Sequence, residues 1–144
     1  MAAAIGIGVD INQPKGNMII DIGGGTTEIA VIALAGIVCD KSVKIAGDVF
    51  TEDIVFYMRT QHNLSIGDRT AEKIKISIGS ALDELENPPE NMLVQGRDLL
   101  SGKPKEISIG YREISKALDK SIIRIEESVM ETLSQTPPEL AADI

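Results

Sequence analysis

The stretch Met18-Ile-Ile-Asp-Ile-Gly-Gly-Gly-Thr-Thr-Glu-Ile-Ala-Val-Ile-Ala-Leu34 decides the fold, and its centre, Asp21-Ile-Gly-Gly-Gly-Thr-Thr-Glu28, decides the chemistry. An apolar strand (18–20) runs into it and another (29–34) leaves it. A carboxylate at a strand end, three glycines and two hydroxyls make a turn suited to a metal-bound polyphosphate. Glycine reaches backbone conformations closed to other residues and lets main-chain N–H groups touch an anion. Asp21 would hold Mg²⁺ directly or through its waters, because hard cations prefer oxygen ligands. Thr26 and Thr27 would donate hydroxyl hydrogen bonds to phosphate oxygens. The turn is not a P-loop, which needs Gly-Lys-Ser/Thr opening a helix; here no lysine follows and the next element is a strand. Three glycines alone would favour an ordinary hairpin turn. The flanking acid, the threonine pair and the two strands favour the phosphate reading.

Bulk properties narrow the field. The 144 residues carry 22 acidic against 14 basic side chains, a formal net charge of −8. That balance argues against a nucleic-acid surface and does not suggest binding to anionic lipid. The single cysteine, Cys39, excludes an internal disulfide and a cysteine zinc cluster and reads as a small strand residue. The lone His62 reads as a surface residue near a helix end. Residues 1–9 are apolar but lack a basic leader region and are too short to span a bilayer, so the expected location is cytoplasmic. Aromatics are scarce, which leaves the core to aliphatic side chains.

Outward from the glycines, residues 2–8 read as the tail of a helix and 12–17 as a loop around Pro14 and Gly16. Three strands are expected, 18–22, 27–34 and 37–45, with Ala35-Gly36 as a hairpin connection and both sheet faces covered. At Gly47-Asp48 the period becomes helical. Asp48 is the expected N-cap, and Phe50, Ile54, Tyr57 and Met58 form the buried stripe. A second helix, capped by Asp68 or Thr70, should run to about Ser80, with Ala71, Ile74 and Ile78 on one side and Glu72 and Lys75 on another. Asn87-Pro-Pro89 breaks the chain. Short strands at 92–96 and 106–109 precede a long helix, 111–134, whose apolar residues recur every three or four positions from Ile114 to Leu133. Pro137-Pro138 stops it, and 139–144 reads as a connection. The fold class is α/β.

With strand, Asp21-to-Glu28 turn and strand in place, the chain resembles the second half of the actin-like ATPases, and more narrowly the bacterial rod-shape-determining MreB family. Supporting segments are Met1-Ala-Ala-Ala-Ile-Gly6, Val43-Lys-Ile-Ala-Gly-Asp48, Ile66-Gly-Asp-Arg-Thr-Ala-Glu-Lys-Ile-Lys75, Val94-Gln-Gly-Arg97 and Pro137-Pro-Glu-Leu-Ala141. The resemblance covers nearly the whole chain. It implies a ribonuclease H-like lobe built on a three-stranded, hairpin-connected sheet, joined to a small α+β lobe. Residues 1–47 and 121–144 would form an incomplete nucleotide-binding lobe (IIA in the family), and 48–120 the IIB lobe, whose tip takes part in longitudinal subunit contacts.

The resemblance also implies roles. ATP and Mg²⁺ are the implied ligands. Asp21 would belong to the Mg²⁺ and catalytic-water network. Gly23, Gly24, Gly25 and Thr26, with Thr27 beside them, would form the second phosphate-binding loop around the β- and γ-phosphates. The segment Glu72, Lys73, Ile74 and Lys75 would face the nucleoside, Glu72 at the ribose and Lys75 beside the adenine. Gly47 and Asp48 would form a conformationally sensitive turn near the nucleotide. Glu28 would orient the attacking water as a secondary residue, because the family's base sits in a Glu-Pro segment just before this chain's opening. Without the resemblance, Glu72 and Lys75 are simply an i,i+3 ion pair on a solvated helix.

A first phosphate loop, that glutamate and a glycine-rich adenosine loop have no counterpart in this sequence. The expectation is therefore a fragment with weak ATP binding and negligible hydrolysis by itself, from a parent ATPase. The implied partners are further copies in a filament and cell-shape membrane proteins at the inner face of the cell membrane. No membrane-binding element and no nucleic-acid partner are expected of these residues. Another enzyme on the same fold, such as a sugar or acetate kinase, would need an acceptor pocket that the sequence does not display. A non-catalytic docking module using the long helix is the third reading.

Overall fold

The computed structural model describes residues 2–144; Met1, the start of the first supporting segment, lies outside the described residues. The elements are α1 (Ala2–Gly6), β1 (Asn17–Ile22), β2 (Thr27–Ala33), β3 (Gly36–Val43), α2 (Gly47–His62), β4 (Leu64–Ser65), α3 (Asp68–Ile78), β5 (Met92–Asp98), β6 (Pro104–Ile109), α4 (Tyr111–Gln135) and α5 (Pro138–Ala141). They fall into two compact units, Met1–Gly47 with Ile123–Ile144, and Asp48–Ile122.

In the first unit β1, β2 and β3 form an antiparallel sheet in that order. Asp21 pairs with Glu28 and Ile22 with Thr27, so β1 and β2 close directly on the glycine turn. β2 is the central strand, and Ile29, Val31 and Ile32 on it are fully buried. The C-terminal part of α4 lies on β3: Cys39 Sγ is 3.2 Å from Thr136 Oγ1, and Lys41 pairs with Glu131. The sheet is not covered on both faces as expected. Ile20, Ile22, Ile37 and Val38 on the two outer strands are exposed.

The β2–β3 hairpin also departs from expectation. Gly36 is not a turn residue but pairs with Ala33. The turn is Leu34-Ala35, with φ of 50° and 57°, although neither residue is a glycine. Its amides donate to the preceding loop, Leu34 N to Gln13 O at 3.1 Å and Ala35 N to Ile11 O at 2.6 Å. Those bonds hold a conformation that side chains ordinarily disfavour. Residues 138–141, expected to be a simple connection, form the single turn α5. Beyond it, Asp143 Oδ2 accepts a hydrogen bond from Gly16 N at 3.0 Å.

The second unit packs α2, α3 and the first turns of α4 against the antiparallel sheet β4-β5-β6. Ile54, Met58, Leu64, Ala71, Ile74, Ile78, Val94, Ile109, Ile114 and Leu118 make an aliphatic core with Tyr111 as its one buried aromatic. The expected α2 stripe is present, with Ile54 and Met58 fully buried and Phe50 and Tyr57 at its margin. Two caps differ. α2 starts at Gly47, which places Asp48 inside its first turn. Gly67 is the N-cap of α3, with no side-chain bond from Asp68 or Thr70. β4, two residues long, was beyond the reach of any periodicity. Among the described residues no helix is long and apolar enough to cross a membrane.

Candidate functional site

The turn between β1 and β2 is a hairpin loop built for amide exposure. Gly23 N donates to Thr26 O at 2.9 Å, which continues the ladder by one pair and leaves Gly24-Gly25 at the tip. Every residue from Ile20 to Thr26 is exposed. A Cβ on Gly23 would lie 3.2 Å from the Thr26 carbonyl oxygen, tighter than ordinary contact. The carbonyl of Gly23 accepts from Gly47 N at 3.1 Å, so the glycine turn is tied to the residue that opens α2.

Asp21 and Glu28 are direct partners across β1 and β2, so their side chains leave the same face of the sheet. Two like charges directly opposite each other are unfavourable by themselves, and a cation beside them reverses the sign of that interaction. No cluster of three or more His, Cys, Asp or Glu that could hold a metal occurs among the described residues. A cation at Asp21 would therefore need oxygens from water or from a bound phosphate. The exposed acid beside exposed glycine amides fits that combination, since Mg²⁺ keeps several waters and is commonly shared with substrate phosphates.

Thr27 does not serve as expected. Its side chain is fully buried and its hydroxyl donates to Ile45 O at 2.6 Å. It braces the turn against the segment after β3, and Thr26 is left as the exposed hydroxyl.

In the second unit, Asp48, Thr51, Glu52, Asp68, Arg69 and Glu72 line a depression of about 490 Å³ at the N-terminal ends of α2 and α3. Glu72 and Lys75 form the i,i+3 ion pair at 2.6 Å, and Thr51 joins them. The Thr51 hydroxyl donates to Glu72 Oε2 at 2.8 Å and accepts from Lys75 Nζ at 3.1 Å. Hydrogen bonds from Lys75 and then Thr51 hold the Glu72 carboxyl below the usual carboxylate range. Lys73 is exposed. Ile74 is a correction: it is 0% exposed and belongs to the core, because it shares the α3 stripe with Ala71 and Ile78.

Sequence reasoning overlooked Thr51, Glu52, Asp68 and Arg69 as pocket residues. Thr51 carried a readable signal. It precedes Ile54 and Met58 by three and seven positions, on the buried stripe, and a hydroxyl buried there must find a partner. The others are ordinary first-turn charges, indistinguishable in sequence from a solvated helix end.

A family model described as MreB/Mbl protein matches residues 1–144. The chain belongs to the MreB/Mbl family. It is 45% identical over 142 residues to the cell shape-determining protein Mbl of Bacillus subtilis, covering 99% of this chain and 42% of that one. It is 47% identical over 146 residues to the cell shape-determining protein MreB of Escherichia coli, covering 100% and 41%. The crystal structure of MreB5 of Spiroplasma citri bound to AMPPNP superposes with a TM-score of 0.94 at 46% identity, over 99% of this chain and 42% of that one. The MamK filament subunit, at 22% identity and TM-score 0.68, shares the fold. The chain thus spans about two-fifths of the length of the MreB and Mbl relatives it matches, and its fold is the actin-like one.

Proposed function

We propose that these residues belong to an ATP-binding, filament-forming bacterial actin homologue that controls cell shape, acting in the cytoplasm at the inner face of the membrane. The 1–47 and 121–144 segments supply the IIA lobe and 48–120 the IIB lobe. Asp21 takes part in holding Mg²⁺. The amides of Gly23, Gly24 and Gly25 and the Thr26 hydroxyl bind the phosphates. Glu28 orients the water, and the α3 face with Glu72 and Lys75 takes the nucleoside. Bound Mg²⁺ supplies charge neutralisation to the phosphates. The chain's own part is to present donors, hold the acid beside them and tie the turn to Gly47.

The observation that carries this reading is the Asp21–Thr26 hairpin, whose exposed amides and acid sit at the end of a fixed two-strand register. The likeness to a relative whose crystal structure holds AMPPNP supports it. The test is ATP hydrolysis and pelleting by the full-length protein and its Asp21→Asn variant. We expect turnover to fall by about two orders of magnitude, as for loss of one preorganised electrostatic group, with the melting temperature unchanged. Unchanged turnover in the variant would remove Asp21 from the site. Phosphate transfer to a small alcohol or carboxylate would identify a kinase instead.

A further inference from the structure

Successive glycines give the β1–β2 turn more conformational freedom than any other residues would, so a phosphate would have to order it on arrival. Hydrogen bonds order it beforehand. Gly23 N donates to Thr26 O at 2.9 Å and closes the turn on itself. Two further bonds tie it to residues 45–47. Gly47 N donates to Gly23 O at 3.1 Å, and the Thr27 hydroxyl donates to Ile45 O at 2.6 Å. Each leg of the turn thus has its own tie, and the one on the β2 leg is made by a side chain.

Thr27 is suited to hold such a tie. It is fully buried, and its β-branched side chain has a restricted first torsion. Its acceptor lies between elements, since β3 ends at Val43 and α2 begins at Gly47. Ile45 and Ala46 are buried there, and a buried carbonyl outside a ladder needs a donor. Fixing Ile45 fixes Gly47 two residues on, and with it the Gly23 carbonyl. The Gly23–Gly24 peptide is trans, and across a planar trans peptide the N–H points opposite to the C=O. With the Gly23 carbonyl turned toward Gly47, the Gly24 N–H faces away from that segment, on the exposed tip.

Resting on the nucleotide reading above, we propose that Thr27 is a positioning residue for the phosphate turn and not one of its phosphate ligands. Its hydroxyl holds residues 45–47 so that Gly47 N captures the Gly23 carbonyl and the Gly24 N–H stays aimed at the β- and γ-phosphates. Binding of MgATP, and of AMP, which lacks those two phosphates, would be measured with the full-length protein. Thr27→Val keeps the shape and removes the hydroxyl, Thr27→Ser keeps the hydroxyl, and Thr27→Cys offers a weaker donor. Thr27→Val should weaken MgATP by roughly tenfold, the size of one hydrogen bond to a charged group, and leave AMP unchanged. Thr27→Ser should retain the wild-type ratio of the two affinities, and Thr27→Cys should fall between.

Hydrogen exchange of the nucleotide-free protein separates positioning from direct contact. The Gly47 amide should be protected in the wild type and in Thr27→Ser and exchange faster in Thr27→Val. A hydroxyl that only touched phosphate would leave that amide unmoved. A Gly47 amide unprotected in the wild type, or one unmoved in Thr27→Val, overturns the proposal and leaves the nucleotide reading standing. Unchanged MgATP affinity in Thr27→Val, or equal loss of MgATP and AMP, does the same. Should Thr27→Val not fold, Thr27→Cys against Thr27→Ser decides, and equal ratios in those two overturn the proposal. A wild type that binds MgATP no better than AMP overturns both.

Discussion

Gly16 precedes β1 where the last turn of the chain comes against it, and a single missing carbon makes that contact. A Cβ there would lie 2.3 Å from the Leu140 carbonyl oxygen, a backbone atom that cannot swing aside. Gly16→Ala should therefore push α5 away, break the Gly16–Asp143 bond and cost about 1–3 kcal/mol, the range for overpacking a buried contact. Thermal denaturation would show it, and a melting temperature equal to wild type would mean that the contact does not exist in solution. The hairpin at Leu34-Ala35 predicts the opposite sign. Both residues hold positive φ, and Leu34 is 66% exposed, so little burial would be lost on replacement. Exchanging the pair for Asn-Gly, the residues suited to such a turn, should raise stability by about 1 kcal/mol, the relief of left-handed strain less the entropy of the new glycine. A lower denaturant midpoint would refute it.

Among the elements, the β5–β6 hairpin and α3 share an electrostatic trait. Asp98 Oδ2 accepts from Ser101 Oγ at 2.6 Å and from Ser101 N at 2.9 Å, and these bonds, with a smaller part from Lys105, hold its carboxyl below the ordinary 3.8. Glu72 lies likewise below its ordinary 4.5. A carboxyl depressed by folding adds stability that is complete above its unfolded value and lost as pH falls through its folded one. Stability of this unit should be flat with respect to these two groups above about pH 4.5 and decline below it. Melts from pH 7 to pH 3 on wild type and on an Asp98→Asn, Glu72→Gln double variant would test this. The variant should show a shallower acid limb, and identical limbs would exclude both residues as contributors.

What the sequence disclosed at this scale follows from period and length. α4 and the three strands around the glycines were legible because apolar side chains recur over many residues. β4 was not, being too short to hold a period. The Leu34-Ala35 turn was hidden because carbonyls of residues 11 and 13, remote in sequence reading, stabilise what local preference opposes. The cross-strand pairing of Asp21 with Glu28 follows from their places at the two ends of the glycine turn. The burial of Ile74 followed from its own stripe, yet a contiguous motif had drawn it into the ligand group.

For the molecule as a whole, the question is how much nucleotide affinity residues 1–144 can supply alone. They offer one phosphate turn with three glycine amides, one threonine hydroxyl and one adjacent acid, and an acid-lined pocket with a single cation. Phosphoryl-transfer sites draw their strength from many donors fixed around all the phosphate oxygens, and their catalysis is almost entirely such positioning. The formal net charge of −8 further repels a polyanion that is not held by local donors. The lone turn should hold MgATP only in roughly the millimolar range, near 4 kcal/mol of binding free energy, with no measurable turnover. Calorimetric titration of residues 1–144 with MgATP, beside the full-length protein, decides the matter. Micromolar affinity in the short chain would mean that the β1–β2 turn needs no further phosphate donors. Millimolar affinity there with micromolar affinity in the full-length protein would place the missing donors in the remaining three-fifths of a family-length chain.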